Sequence, residues 1–156
     1  MPYIYSAKTV GNYFLELGER DGVPIDPLKL QKLVYLAHGW SLVFLQRPLI
    51  KEPVEAWRYG PVVQTLYKEF KRFGASEITE YAQGTEPTSA LDQDTKTLLE
   101  AVWHRYKLLS PIQLSMLTHE PGYAWDLVRK NCGPFDSPNI SNALIADEFQ
   151  RRQQLQ

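Results

Sequence analysis

The stretch LKLQKLVYLAHGWSLVFL, residues 28–45, decides the fold of this chain because its apolar residues run almost all the way round a helix. It directly follows Asp26-Pro27, in which the aspartate can cap a helix and the proline fits the first turn without losing a hydrogen bond. A helix that is apolar on nearly every side is usually buried on most of them. We therefore predict a central helix here, and Gly39 in its middle indicates a close contact with a neighbouring helix.

Further helices are predicted around this one from capping residues that precede apolar stripes. A first helix starts at Ser6, SPIQ at 110–113 forms a capping box, and we expect Pro27, Pro61 and Pro111 each to occupy the first turn of a helix. Two further helices are predicted to start at Pro61 and near Asp92. A short helix is predicted over about Tyr123 to Lys130, and a last one over about residues 139–153.

Two short strands are predicted from segments rich in β-branched and aromatic residues, Val54 to Tyr59 and Glu77 to Tyr81. Two strands are stable only when they pack on other elements, so we expect them to lie against helices. The sequence thus predicts a mainly α, single compact domain of about six to seven helices with a small two-stranded β element, spanning residues 1–156.

The composition favours a globular protein without a general electrostatic preference for a partner. Of 156 residues, 44% are hydrophobic and 22% are charged, which is enough for a packed core. A net charge of -1 gives no overall attraction to nucleic acid or to an anionic membrane. A single cysteine, Cys132, cannot form an internal disulfide, and the N-terminus lacks signal-peptide features, so we expect a cytoplasmic protein.

No spacing of residues predicts a catalytic or metal site. His38, His104 and His119 do not stand in a paired-ligand pattern, and His38 on the central helix is predicted to be a hydrogen-bonded packing residue. Cys132 and His119 can in principle form a thiol nucleophile and its base, but an inert thiol is the more common outcome. We expect no enzyme activity, no cofactor and no metal.

The stretch EAWRYGPVV, residues 55–63, allows both a structural and a partner-binding interpretation, and the sequence does not decide between them. Trp57 and the Gly-Pro pair favour a structural corner, in which the tryptophan anchors a strand to the following helix. Arg58 and Tyr59 are better candidates for exposure, and arginine and tyrosine are frequent binding hot spots. Lys29 and Lys32 share one helical face, most often a solvated edge, and with Arg58 they can receive acidic side chains from a partner.

DNA binding is the alternative function that the pattern leaves open. The short turn KLLS joins two predicted helices, which allows a helix-turn-helix. The second of these helices, PIQLSMLTH, has no arginine or lysine and is therefore a poor major-groove reader. A DNA-binding regulator remains the second hypothesis, and a hydrolytic or metal-dependent enzyme the third.

Three segments of the chain form a distinctive set: LKLQKLVYLAHGW, PLIKEPVEAWRYGPVVQTLYKEFK and LSMLTHEPGYAW. Together they resemble the Panacea domain family of SocA-like, phage-associated proteins, and the resemblance covers nearly the whole chain. Two departures are small: Leu36 replaces the second aromatic residue of the helix motif, and Gly122-Tyr123 lengthens the approach to Trp125. The resemblance implies an antitoxin that binds a toxin protein directly, without catalysis.

The expected partner is thus a cognate toxin, with no membrane, no nucleic acid and no small-molecule substrate. The residues predicted to bind it are Lys29, Lys32, Trp57, Arg58, Tyr59, His119 and Trp125.

Overall fold

A computed structural model of the protein describes residues 3–155. Within that range the chain forms seven α-helices and one small antiparallel sheet. The elements in chain order are α1 (Ala7–Asp21), α2 (Pro27–Phe44), β1 (Val54–Trp57), β2 (Gly60–Val62), α3 (Gln64–Phe70), α4 (Gln93–Tyr106), α5 (Pro111–Thr118), α6 (Ala124–Arg129), β3 (Asn139–Ile140) and α7 (Asn142–Gln154).

The predicted central helix is confirmed as α2. Every residue from Lys29 to Ser41 is buried, because α1, α3, α4, α5, α7 and β2 all pack on this helix. Its start is the predicted one: the Asp26 carboxylate accepts a hydrogen bond from the Lys29 N–H at 2.8 Å, and Pro27 occupies the first turn. Five of the other helices thus form a shell around α2, while α6 packs on α7 and on the sheet.

The helix starts predicted from capping residues are also confirmed. Ser6 and Asp92 cap α1 and α4 with their side chains, and Ser110 forms a capping box with Gln113 at the start of α5. The last helix, predicted over about residues 139–153, begins only at Asn142 behind a cap at Ser141 that was not predicted. No helix in residues 3–155 is long and apolar enough to cross a membrane. The mainly α fold class is confirmed, and the β element contains three strands where two were predicted.

The prediction that Pro61 starts a helix is wrong. Pro61 lies in β2, where it pairs with Ala56 of β1, and α3 begins only at Gln64. The strand order β2-β1-β3 makes β2 an edge strand, in which proline is tolerated because its missing N–H need not serve a second neighbour. A Gly-Pro pair usually ends a strand or helix, but Gly60-Pro61 begins β2, the second strand of a hairpin.

The predicted strand Glu77 to Tyr81 is wrong as well. Within the described residues this segment has no strand partner, and the N–H of the buried Ile78 donates to Ile25 O at 2.9 Å, beside the start of α2. The third strand is instead Asn139–Ile140, which pairs with Val54 and Glu55 of β1. Two residues are too few for an alternating pattern, so the sequence gives no sign of this strand.

Gly39 tests the packing of the central helix most directly. A methyl group at Gly39 would overlap the ring of Phe149, which Tyr35 and Trp40 hold at centroid distances of 5.8 and 5.0 Å. We expect Gly39→Ala to lower the free energy of unfolding by about 1–3 kcal/mol, because overpacking outweighs the gain in helix propensity. Urea denaturation measures this change.

Gly11→Ala in α1 is the matched control. A methyl group there would meet the flexible end of Leu66 at 3.3 Å, which can move aside, so this variant should be neutral or slightly more stable. Equal effects of the two substitutions would show that α2 and α7 are not in close contact at Gly39.

Candidate partner-binding site

The β1–β2 hairpin forms an exposed corner of the protein. Its register pairs Trp57 with Gly60, so that Arg58 and Tyr59 form a two-residue turn. Gly60 has a φ of 135°, in the region that favours glycine, and this conformation lets the chain reverse within so short a turn. Tyr59 is 76% exposed, and the Arg58 guanidinium lies 5.5 Å from the centre of its ring. The corner presents a cation and an aromatic ring together.

Helix α2 holds the hairpin from the interior. The Gln31 side chain donates to Val63 O at 3.0 Å and accepts from Val63 N at 2.9 Å. The ammonium group of Lys32 donates to Pro61 O at 3.1 Å. Both side chains are buried, so water does not compete for these hydrogen bonds. The backbone that follows the turn is therefore fixed to the most buried helix of the fold.

Side chains from α6 hold the hairpin from its other side. The Trp125 indole N–H donates to Trp57 O at 2.7 Å, and the Arg129 guanidinium donates to Ala56 O at 3.0 Å. The ring of His119 packs on Trp125 with centroids 4.2 Å apart. Because β3 pairs only with Val54 and Glu55, these donors from α6 bond the second half of β1, beyond the reach of β3.

The two lysines of α2 are buried, so the prediction that they form a solvated edge is wrong. Lys29 donates to Lys107 O and Leu109 O at 2.5 and 2.9 Å and thereby caps the C-terminal end of α4. Burial lowers the pKa of Lys32 to about 8. A Cβ atom on Gly60 would collide with the Lys32 ammonium, so glycine is needed there for space as well as for its φ angle.

Trp57 links the hairpin to α3. Its ring lies 4.9 Å from that of Tyr67, and its indole N–H donates to Glu55 at 2.7 Å. The predicted anchoring role of this tryptophan agrees with these contacts. Of the residues predicted to bind a partner, Lys32, Trp57, Arg58, Tyr59, His119 and Trp125 thus meet at the hairpin, whereas Lys29 lies against the end of α4. Their role in binding a partner stays a prediction.

The remaining chemical candidates are satisfied within the fold. His38 accepts at Nδ1 from Leu49 N and Ile50 N, so its Nε2–H donates to Asn142 at 2.9 Å, and burial lowers the pKa of the ring. The Cys132 thiol contacts Arg129 O. Within residues 3–155 no three His, Cys, Asp or Glu side chains lie close enough together to hold a metal ion.

The outer face of α5 is apolar. Ile112 and Met116 are exposed on it beside the polar Gln113, and the helix has no lysine or arginine to contact a phosphate backbone. The expectation that the chain does not bind DNA stays a prediction.

Two residues that build the site were missed in the sequence. Gln31 was hidden within an apolar helix, although a buried amide must find hydrogen-bond partners and so signals a structural contact. Arg129 lies on the short helix α6 and reaches a strand 73 positions away in the chain, for which no local pattern exists.

Comparison with known proteins gives matches that cover the hairpin and most of α2. Residues 30–126 match the family described as "Antitoxin SocA-like, Panacea domain", a range that includes most of α2, the hairpin and the start of α6. The protein "Antitoxin SocA" of Caulobacter vibrioides (strain NA1000 / CB15N) is 34% identical over 140 residues, which cover 85% of this chain and 74% of that protein. No solved structure matches the chain.

The contact between Gln31 and Val63 can be tested by substitution. Gln31→Leu removes both hydrogen bonds and leaves the buried Val63 N–H without a partner, whereas Val63 O still accepts from the Tyr67 N–H at 3.1 Å. We therefore expect a loss of about 1–3 kcal/mol of unfolding free energy in urea. Asn12→Leu is the matched control, because Asn12 makes the same pair of bonds to the backbone of Ala82, far from the hairpin.

Both variants should be destabilised to a similar extent, while only Gln31→Leu should speed local hydrogen exchange in residues 54–63. Unchanged exchange in the hairpin of the Gln31 variant would contradict its holding role.

Proposed function

The chain belongs to the family of SocA-like antitoxins that carry a Panacea domain, and on this premise we propose that it neutralises a cognate toxin protein by binding it directly. The proposed contact surface is the turn of the β1–β2 hairpin, with Arg58 and Tyr59 at its centre. The proposed action needs no catalytic group.

One observation carries this proposal: two helices distant from each other in the chain, α2 and α6, both hold one exposed two-residue turn. Gln31 and Lys32 fix the strand that leaves the turn, and Trp125 fixes the strand that enters it. These bonds are made to backbone atoms, so they position the turn whatever its two side chains are. Such a framework is expected where a surface must be presented in one fixed conformation.

Rigidity favours binding because a fixed turn loses little conformational entropy when a partner covers it. Arg58 and Tyr59 are exposed and already in contact with each other, so their side chains are partly ordered before binding. Arginine and tyrosine also contribute large contact areas and directional hydrogen bonds, which is why they are common hot spots. The corner therefore combines a rigid support with side chains suited to a protein interface.

The proposal predicts that truncating either turn residue weakens the complex without unfolding the protein. Arg58→Ala and Tyr59→Ala should each cost at least about 2 kcal/mol of binding free energy to the toxin encoded beside this chain, or about thirtyfold in Kd. Calorimetry with the purified toxin measures the affinity, and thermal melts establish that the fold is intact.

Arg105→Ala is the matched control. Arg105 is also exposed and lies 5.5 Å from the ring centre of a neighbouring tyrosine, Tyr106, but on α4. The Arg105→Ala variant should bind the toxin as tightly as the parent protein does. If both turn variants also bind as tightly, the corner is scaffold only, and the contact surface has to be sought first around His119 and Trp125.

A further inference from the structure

A groove with a volume of about 460 Å³ lies beside the hairpin corner. Its walls are the first turns of α2, the hairpin turn, and α3 with the residues that follow it. The volume falls within the range of about 300–1,000 Å³ that is typical of binding pockets. We call it the hairpin groove, and the lining residues that matter for binding are Leu28, Arg58, Tyr59, Tyr67, Phe70 and Lys71.

Large apolar side chains line the hairpin groove and remain open to solvent. Leu28 is 40% exposed, Tyr67 43% and Tyr59 76%, while Leu66 and Phe70 close the interior side. Exposed apolar surface gathered in a concave site is unfavourable in water, and its burial by a partner stabilises a complex. The groove therefore suits a bulky apolar side chain.

The charges around the hairpin groove have one sign. The exposed Arg58 and Lys71 and the buried Lys32 line it, and among residues 3–155 no aspartate or glutamate does. The depression beside the end of α1 has the opposite character, since Glu19, Glu77 and Glu80 line it without any lysine or arginine. In a chain with a net charge of -1, this separation gives the hairpin groove a local preference for negative charge.

We propose that the hairpin groove receives a short segment of the partner protein in which a bulky apolar side chain is flanked by aspartate or glutamate. The apolar side chain fills the space between Leu28, Tyr67 and Phe70, and its acidic neighbours face Arg58 and Lys71. This inference rests on the proposed function, because it names the chemistry of the toxin segment that the hairpin corner contacts. Charge complementarity sets the choice of partner, while apolar burial supplies most of the affinity.

Charge reversal at the rim tests this proposal in the full-length protein. Lys71→Glu places a negative charge on the groove, and Lys68→Glu makes the same change three residues earlier, at an exposed position that does not line it. We expect Lys71→Glu to weaken binding of the neighbour-encoded toxin about fivefold or more and Lys68→Glu to leave it unchanged. The loss should shrink at high salt, because exposed charges are screened.

A peptide probe separates this inference from the proposed function. The probe is a fluorescein-labelled hexapeptide of sequence DEWLED, compared with KRWLRK, and the readout is fluorescence anisotropy with each variant. The parent protein should bind DEWLED more tightly than KRWLRK, and Lys71→Glu should reduce that difference while Lys68→Glu retains it. Equal binding of the two peptides, or equal effects of the two substitutions, would overturn the proposal.

The combined results distinguish the two ideas. A toxin that binds the parent and both charge variants alike would refute the groove as its docking site while leaving direct neutralisation in place. The toxin could fail to bind at all while the protein binds DEWLED selectively and Lys71→Glu reduces that selectivity. This combination would refute the proposed function and support the hairpin groove as a site for acidic segments. A concentration-dependent dimer that Lys71→Glu dissociates would assign the groove to a second copy of the chain and overturn the proposal.

Discussion

The hydrogen-bonded contact between the Gln31 amide and the backbone of Val63 is the interaction on which the rest of the structure depends. Gln31 lies on a helix that is buried on every side, where an amide without partners would cost about 1–3 kcal/mol. Val63 lies between β2 and α3, and its N–H and C=O groups bond to Gln31. The Gln31 amide and the Val63 backbone thus satisfy each other's hydrogen bonds. Because Gln31 belongs to α2, the position of this helix determines the position of the hairpin.

Lys32 couples the same helix to the turn itself. Burial of its ammonium group is unfavourable, which lowers its pKa, and the hydrogen bond to Pro61 O offsets part of that cost. Helix α2 and the β1–β2 hairpin are therefore one structural unit. Within it the residues divide into two sets, since Gln31 and Lys32 support the backbone whereas Arg58 and Tyr59 are free to contact a partner.

The sequence predicted those features that depend on neighbouring residues. Asp26-Pro27 gave the start of α2, Ser110 gave the capping box of α5, and Gly39 indicated the close contact that Phe149 makes. The features it missed depend on the tertiary fold. Pro61 could enter a strand because β2 lies at an edge, and the burial of two lysines depends on the carbonyl groups that α4 and β2 bring to them. The exposure of Arg58 and Tyr59 and the anchoring by Trp57 were predicted, whereas the turn itself and its supports from α2 and α6 were not.

Native-state hydrogen exchange at the Val63 amide, followed at increasing denaturant, tests the central claim that α2 holds the hairpin rigid. If the claim is right, this amide opens only in global unfolding, with the same free energy as amides in the middle of α2 such as that of Leu36. An opening free energy several kcal/mol lower, insensitive to denaturant, would show that the hairpin opens locally. That result would contradict the account of a fixed corner supported by the central helix.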